Sequence, residues 1–64
     1  MTRGMKLRIT DVSWEADWGT DIAYFMYEKD NEGRNGIFVA MSKERAIDGS
    51  ADGWFSYSDV ERAQ

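Results

Sequence analysis

Apolar and polar residues alternate at the start of the chain, which is the pattern of a half-buried β-strand. Over residues 6–9 the apolar side chains occupy odd positions, whereas from Val12 onward they occupy even positions. A slip of one residue exchanges the two faces of a strand. We therefore predict a first strand over residues 5–14, with a β-bulge or a bend near Asp11.

The segment over residues 12–18 fits two geometries. As a strand, it carries Trp14 and Trp18 on one face and its acids on the other. As a single helical turn, capped by Ser13 and ended by Gly19, it still brings the two tryptophans together, because they are four residues apart. Both geometries place the acids off the tryptophan face.

The middle of the chain predicts a β-hairpin. Residues 20–29 are apolar on both faces, which indicates a central strand covered on both sides. Residues 30–36 form a turn signal and residues 36–42 a returning strand. A three-residue loop over residues 31–33, with Gly33 left-handed, fixes the register. The resulting pairs are Phe25 with Val39, Tyr27 with Ile37, Met26 with Phe38, and Tyr24 with Ala40.

The last third predicts a short helix, an aromatic strand and a terminal turn. Ser42 can cap a helix that ends at Gly49. A strand follows over residues 54–57, and residues 58–61 match a capping box, which predicts one or two final helical turns. The predicted fold class is therefore α+β, with a small antiparallel sheet of three or four strands and one or two short helices. We expect a single domain over residues 1–64, with residues 1–4 as a loose leader.

Composition narrows the possible chemistry. The 64 residues include neither Cys nor His, which excludes disulfides and the commonest zinc ligands. A nucleophilic Ser would have no such partner to activate it, so we expect neither an enzyme nor a cofactor. No apolar run approaches the roughly 20 residues that span a bilayer, and no signal peptide is recognisable. We expect a cytoplasmic protein that is a monomer or a small homo-oligomer.

Charge is segregated along the chain, whose net charge is −4. Residues 9–28 and 46–61 contain acids but no Lys or Arg. Such blocks disfavour direct binding to nucleic acid or to an anionic membrane, and they suit a basic protein partner. The predicted partner-binding face consists of four acids with two tryptophans at their edge: Asp11, Glu15, Asp17, Asp21, Trp14 and Trp18.

Residues 48–59, DGSADGWFSYSD, resemble the calcium loop of EF-hand and dockerin proteins. Oxygen-bearing residues alternate along it, and Gly53 stands where that loop turns sharply. The resemblance implies that Trp54 contributes its carbonyl at position 7 and that Ser56 stands at position 9. The candidate side-chain ligands that we retain are Asp48, Ser50, Asp52 and Asp59. The alternative interpretation is an Asp- and Gly-rich turn that leads into an aromatic strand, with no metal bound.

In build, the chain resembles the small acidic inhibitors that phages carry, such as anti-CRISPR proteins and DNA mimics. The features behind this resemblance are the two base-free blocks, the missing Cys and His, and the small aromatic sheet. It implies a stoichiometric inhibitor that blocks a basic, nucleic-acid-binding or docking surface of a bacterial effector such as a CRISPR–Cas component. A calcium-binding module and a small structural domain without a dedicated binding role are the alternatives.

Overall fold

The computed structural model describes residues 1–63 and contains a five-stranded antiparallel sheet with two short helices. The spatial order of the strands is β4-β3-β2-β1-β5, so β2 lies at the centre. Along the chain the elements are β1 (Lys6–Ile9), α1 (Val12–Trp18), β2 (Ile22–Glu28), β3 (Gly36–Ala40), α2 (Lys43–Asp48), β4 (Gly53–Ser56), a 3-10 turn (Tyr57–Asp59) and β5 (Val60–Arg62).

The predicted α+β class is confirmed, with one strand more than expected. The additional strand is β5, where the capping-box pattern wrongly predicted a helix. Val60 pairs with Ile9 and packs against the core, so this segment gains more burial as a strand than a short terminal helix would offer. Its pairing also covers the edge that β1 would otherwise expose.

The sheet is curled, because a short link joins its two edge strands. The chain from Ser56 to Val60 can span at most about 14 Å, whereas the edges of a flat five-stranded sheet lie about 19 Å apart. Phe55 of β4 and Val60 of β5 both pack against the same core cluster. That cluster therefore lies on the concave side of the sheet.

The first strand is shorter than predicted, and the helical alternative for residues 12–18 is confirmed. Of the two alternatives predicted near Asp11, the bend is confirmed: it lies at the junction of β1 and α1, and this segment has no β-bulge. Asp11 caps the helix in place of Ser13: its carboxylate accepts the Ser13 N–H at 2.9 Å. Gly19 ends the helix in the left-handed conformation, as predicted, with φ of 71°.

Two apolar clusters cover the two faces of β2, which confirms the prediction of a central strand buried on both sides. Phe25 belongs to the cluster on the concave face and Met26 to the cluster beneath α2. The concave cluster consists of Leu7, Ile9, Trp14, Ala23, Phe25, Ile37 and Val39. The other consists of Met26, Ala40 and Ala46, with Tyr24 and Phe38 packed against it.

The register of the β2–β3 hairpin agrees with the prediction away from the turn. Phe25 pairs with Val39, and Tyr24 with Ala40, as expected. Nearer the turn the predicted pairs are wrong, because the structure pairs Tyr27 with Phe38 and Glu28 with Ile37.

A shorter loop and a β-bulge explain this difference. Glu32 and Gly33 form a two-residue loop with φ of 52° and 80°, closed by the pairing of Asn31 with Arg34. This loop is one residue shorter than the predicted one. The β-bulge between Phe25 and Tyr27 places one extra residue in β2, which compensates for the shorter loop. The predicted pairs are therefore correct from Phe25 toward the start of β2.

The N-terminal segment is not the loose leader that we predicted. Gly4 is buried and its N–H donates to the Phe25 carbonyl at 2.7 Å. The Arg3 side chain reaches the Met26 carbonyl at 3.4 Å. These contacts extend the pairing of β1 with β2 toward the N-terminus.

Phe25 provides a test of the concave core. Phe25→Ala should lower the free energy of unfolding by about 3–5 kcal/mol, because it leaves a cavity beside Val39. Tyr27→Ala is the matched control on the same strand, since Tyr27 is 43% exposed. Urea denaturation should show a large loss of stability for Phe25→Ala and a small one for Tyr27→Ala. An unchanged midpoint for Phe25→Ala would contradict this core.

Candidate partner-binding groove

An open groove of about 350 Å³ lies between α1 and β4. It brings together two segments that are far apart in sequence, residues 11–18 and residues 52–59. Its lining contains four Asp, four aromatic residues and one base: Asp11, Ser13, Trp14, Asp17, Trp18, Arg34, Asp52, Gly53, Trp54, Phe55, Ser56 and Asp59. Its surface is therefore both acidic and aromatic.

Trp14 forms the buried floor of the groove. Its side chain is 2% exposed, and its indole N–H donates to the Ile22 carbonyl at 2.9 Å. Its ring meets Phe55 edge-on, with 5.7 Å between ring centroids. Trp14 is therefore a core residue, and little of its side chain is accessible at the predicted partner-binding face.

Trp18 is the accessible tryptophan of this pair. It lies one helical turn beyond Trp14, with ring centroids 5.7 Å apart, and it is 38% exposed. Its ring packs against the buried ring of Trp14 and lies at the mouth of the groove. A fixed and partly exposed indole is the kind of side chain that anchors protein interfaces.

The four predicted acids do not form a row. In a helix, residues two apart point about 200° from each other, so Glu15 and Asp17 lie on opposite sides of α1. Asp17 lines the groove, whereas Glu15 does not. Asp21 follows the helix and pairs with Arg8, whose Nε lies 3.0 Å from its carboxylate. The regular carboxylate spacing expected of a strand is therefore absent.

Asp11 stays in the groove and combines two roles. The hydrogen bond from the Ser13 N–H caps α1 and lowers the pKa of the Asp11 carboxyl. Asp11 is thus an anion at neutral pH. Of the six predicted partner-binding residues, the groove brings Asp11 and Asp17 together with Trp14 below and Trp18 beside them.

Asp52 anchors the start of β4 at the opposite wall. Its carboxylate accepts hydrogen bonds from Arg45, with Nη2 at 2.6 Å and Nε at 2.9 Å, and from the Met41 N–H at 2.8 Å. The Arg45 hydrogen bond lowers the pKa of Asp52, against the opposing effect of burial. This network ties α2 to the segments that flank it.

The four candidate calcium ligands do not form the loop that the resemblance implies. Asp48 ends α2, and Asp52 is occupied by Arg45. Asp59 accepts a hydrogen bond from the Ser56 hydroxyl at 3.2 Å, and Ser50 belongs to the turn between α2 and β4. Within residues 1–63 no group of three acidic side chains is placed to hold a metal ion. Residues 53–56 form a paired strand, which prevents the tight loop that calcium requires.

Trp54 and Arg34 form the end of the groove near the hairpin. The sequence predicted Trp54 only as a carbonyl ligand of the calcium-like loop and assigned no role to Arg34. The Trp54 indole N–H donates to the Lys29 carbonyl at 2.7 Å. The Arg34 guanidinium lies over the Trp54 ring, 5.5 Å from its centroid. The indole packs against Gly36, where a side chain would collide with it. A glycine within a strand is the sequence signal that could have indicated this close approach.

Comparison of the chain with protein-family models, with curated proteins and with solved structures found no match. Over residues 1–63, no helix is long and apolar enough to cross a membrane.

The ion pair of Asp52 with Arg45 should make stability depend on pH. The pKa of Asp52 is lower in the folded state than the usual value near 3.9. Its contribution is therefore complete above about pH 4 and is lost as the pH falls through the folded-state pKa. Asp52→Asn should lower the urea midpoint at pH 7, and the difference from wild type should shrink at pH 3.

Asp48→Asn is the matched control, because Asp48 is exposed at the end of α2. It should change the pH 7 midpoint far less than Asp52→Asn does. An equal midpoint for wild type and Asp52→Asn at pH 7 would contradict a stabilising role for this pair.

Proposed function

We propose that this protein acts by binding, and that it occupies a basic surface of a protein partner through the groove between α1 and β4. The observation that carries this proposal is the composition of the groove lining, with three Asp that form no ion pair within residues 1–63 and one base, Arg34, around a partly exposed Trp18. Such a surface attracts cationic partners over a distance and holds them through an aromatic anchor. The proposal assigns the protein neither catalysis nor a cofactor.

Uncompensated charge is the main support for a basic partner. Asp52 is balanced by Arg45, and Asp21 by Arg8. Asp11, Asp17 and Asp59 have no ion pair within residues 1–63, although all three line the groove. Carboxylates that the fold does not neutralise are free to pair with Lys or Arg side chains of another protein.

The partner class follows from the resemblance in build to phage-borne inhibitors. Basic protein surfaces commonly bind the phosphates of nucleic acids, and a protein that covers such a surface prevents that binding. We propose a stoichiometric inhibitor of a bacterial effector, such as a CRISPR–Cas component, that acts in the cytoplasm of the host cell. Because the acids of α1 form no regular row, the proposal rests on surface occupation and not on imitation of a DNA backbone.

Two acids of one helix provide a matched test. Asp17→Lys and Glu15→Lys make the same charge change, but only Asp17 lines the groove. Against a basic partner captured with the wild-type protein, Asp17→Lys should weaken binding by about tenfold and Glu15→Lys by much less. Titration calorimetry gives both affinities, and circular dichroism checks that each variant is folded.

Two further measurements vary the salt concentration and add nucleic acid as a competitor. The wild-type affinity should fall as the salt concentration rises, because exposed charges are screened. The protein should also compete with nucleic acid for the partner. Equal affinities for both lysine variants, together with an affinity that salt does not change, would contradict the proposal.

A further inference from the structure

The groove already holds one guanidinium group, that of the chain's own Arg34. This cation lies over the ring of Trp54 at 5.5 Å, a distance at which an aromatic face attracts a cation. Arg34 comes from the tip of the β2–β3 hairpin, so its side chain reaches the groove from outside α1 and β4. The groove thus already contains, from its own chain, a guanidinium group placed over an aromatic ring.

The α1 side of the groove has residues of the same kinds, but within residues 1–63 no basic side chain pairs with its acids. Trp18 offers a partly exposed ring, and Asp17 is the residue before it. Asp11 lines the same groove at the start of the helix. The last turn of α1 contains no basic residue, so nothing in that turn supplies the missing positive charge. A partly exposed indole beside a carboxylate without an ion pair is electrostatically complementary to a cation.

We propose that this side of the groove receives one arginine side chain of the partner, stacked on Trp18 and paired with Asp17, the residue beside it in the groove lining. This inference rests on the proposed function and specifies the group that is recognised. Arginine fits better than lysine, because its planar guanidinium can stack on an indole and donate several hydrogen bonds to carboxylates at the same time. A lysine ammonium satisfies the charge but not the stacking.

Three small probes that differ only in their side chains distinguish the effect of side-chain charge on binding from the effect of side-chain shape. They are the N-acetyl amides of arginine, lysine and citrulline; citrulline has nearly the shape of arginine without its charge. NMR titration of the wild-type protein should show the Trp18 indole signal shifting with the arginine probe. The lysine probe should bind about threefold to tenfold more weakly, and the citrulline probe should cause no saturable shift.

Substitutions in the groove then test which residues bind the arginine probe. Trp18→Leu and Asp17→Asn should each weaken the arginine probe by about tenfold. Glu15→Gln is the matched control, since it removes a carboxylate of the same helix outside the groove, and it should leave the affinity unchanged. For the leucine variant, backbone amide signals replace the missing indole signal.

Arg34→Gln should act in the opposite direction. It removes the one base from the groove lining and uncovers the ring of Trp54, so the arginine probe should bind about threefold more tightly. Circular dichroism checks that this variant is folded, so that a gain of affinity can be assigned to the groove. An unchanged or weaker affinity would contradict the idea that Arg34 occupies a site of the same kind.

The outcomes distinguish this inference from the proposed function. If arginine and lysine probes bind equally, or if Trp18→Leu has no effect, the groove recognises charge alone; the arginine site is then wrong and the basic partner remains. If the arginine probe causes no saturable shift although a basic partner protein binds with the predicted dependence on Asp17, the arginine site is again wrong. If neither the probe nor any basic partner binds, both proposals fail.

Discussion

The burial of the Trp14 indole is the interaction on which both the fold and the groove depend. Its N–H bonds to the start of β2 and its ring meets Phe55 of β4, so one side chain joins α1 to two strands of the curled sheet. Gly53 allows this approach, because a side chain there would crowd the indole. A 64-residue chain without disulfides has few other means of closing its concave side. By fixing α1 across β4, Trp14 also creates the groove and presents Trp18 at its mouth.

The other face of the sheet depends on a separate arrangement. The bulge between Phe25 and Tyr27 shifts the register of β2 against β3, while Met26 packs beneath α2 together with Ala46. The ion pair of Arg45 with Asp52 then connects α2 to the residue that precedes β4. The helix on one face therefore helps to position the strand that lines the groove on the other. A substitution in α2 should therefore alter the groove through this ion pair, because no residue of α2 lines the groove.

Local patterns predicted the elements whose stability is itself local. The hairpin, the pair Phe25–Val39, and the limits of α2 at Ser42 and Gly49 follow from alternation, turn residues and caps. The two-residue loop could not be distinguished from a three-residue loop, because a bulge restores the same alternation beyond Met26. The capping-box pattern failed at β5 because pairing with β1, a contact distant in sequence, outweighed a local preference.

The groove was beyond sequence reasoning for the same physical reason. It joins residues 11–18 to residues 52–59, and no local pattern reports that proximity. The two base-free blocks of the chain do contribute its two walls, so charge segregation indicated the correct segments without showing that they meet. The relative positions of the acids of α1 were predicted wrongly, because residues two apart share one face of a strand but lie on opposite sides of a helix. The choice between these two geometries was decided by Trp14, which reaches the Ile22 carbonyl from a helix.

The acids of the groove can be divided into those that the fold requires and those that a partner would require. Of the four Asp in the groove, three have structural roles: Asp11 caps α1, Asp52 pairs with Arg45, and Asp59 accepts the Ser56 hydroxyl. Asp17 has neither a hydrogen bond nor an ion pair from its side chain within residues 1–63. A carboxylate beside an exposed indole gains nothing for the fold except solubility, which any outer position such as Glu15 would provide equally. Asp17 is therefore the groove acid that the proposed partner contact could use without breaking an interaction of the fold.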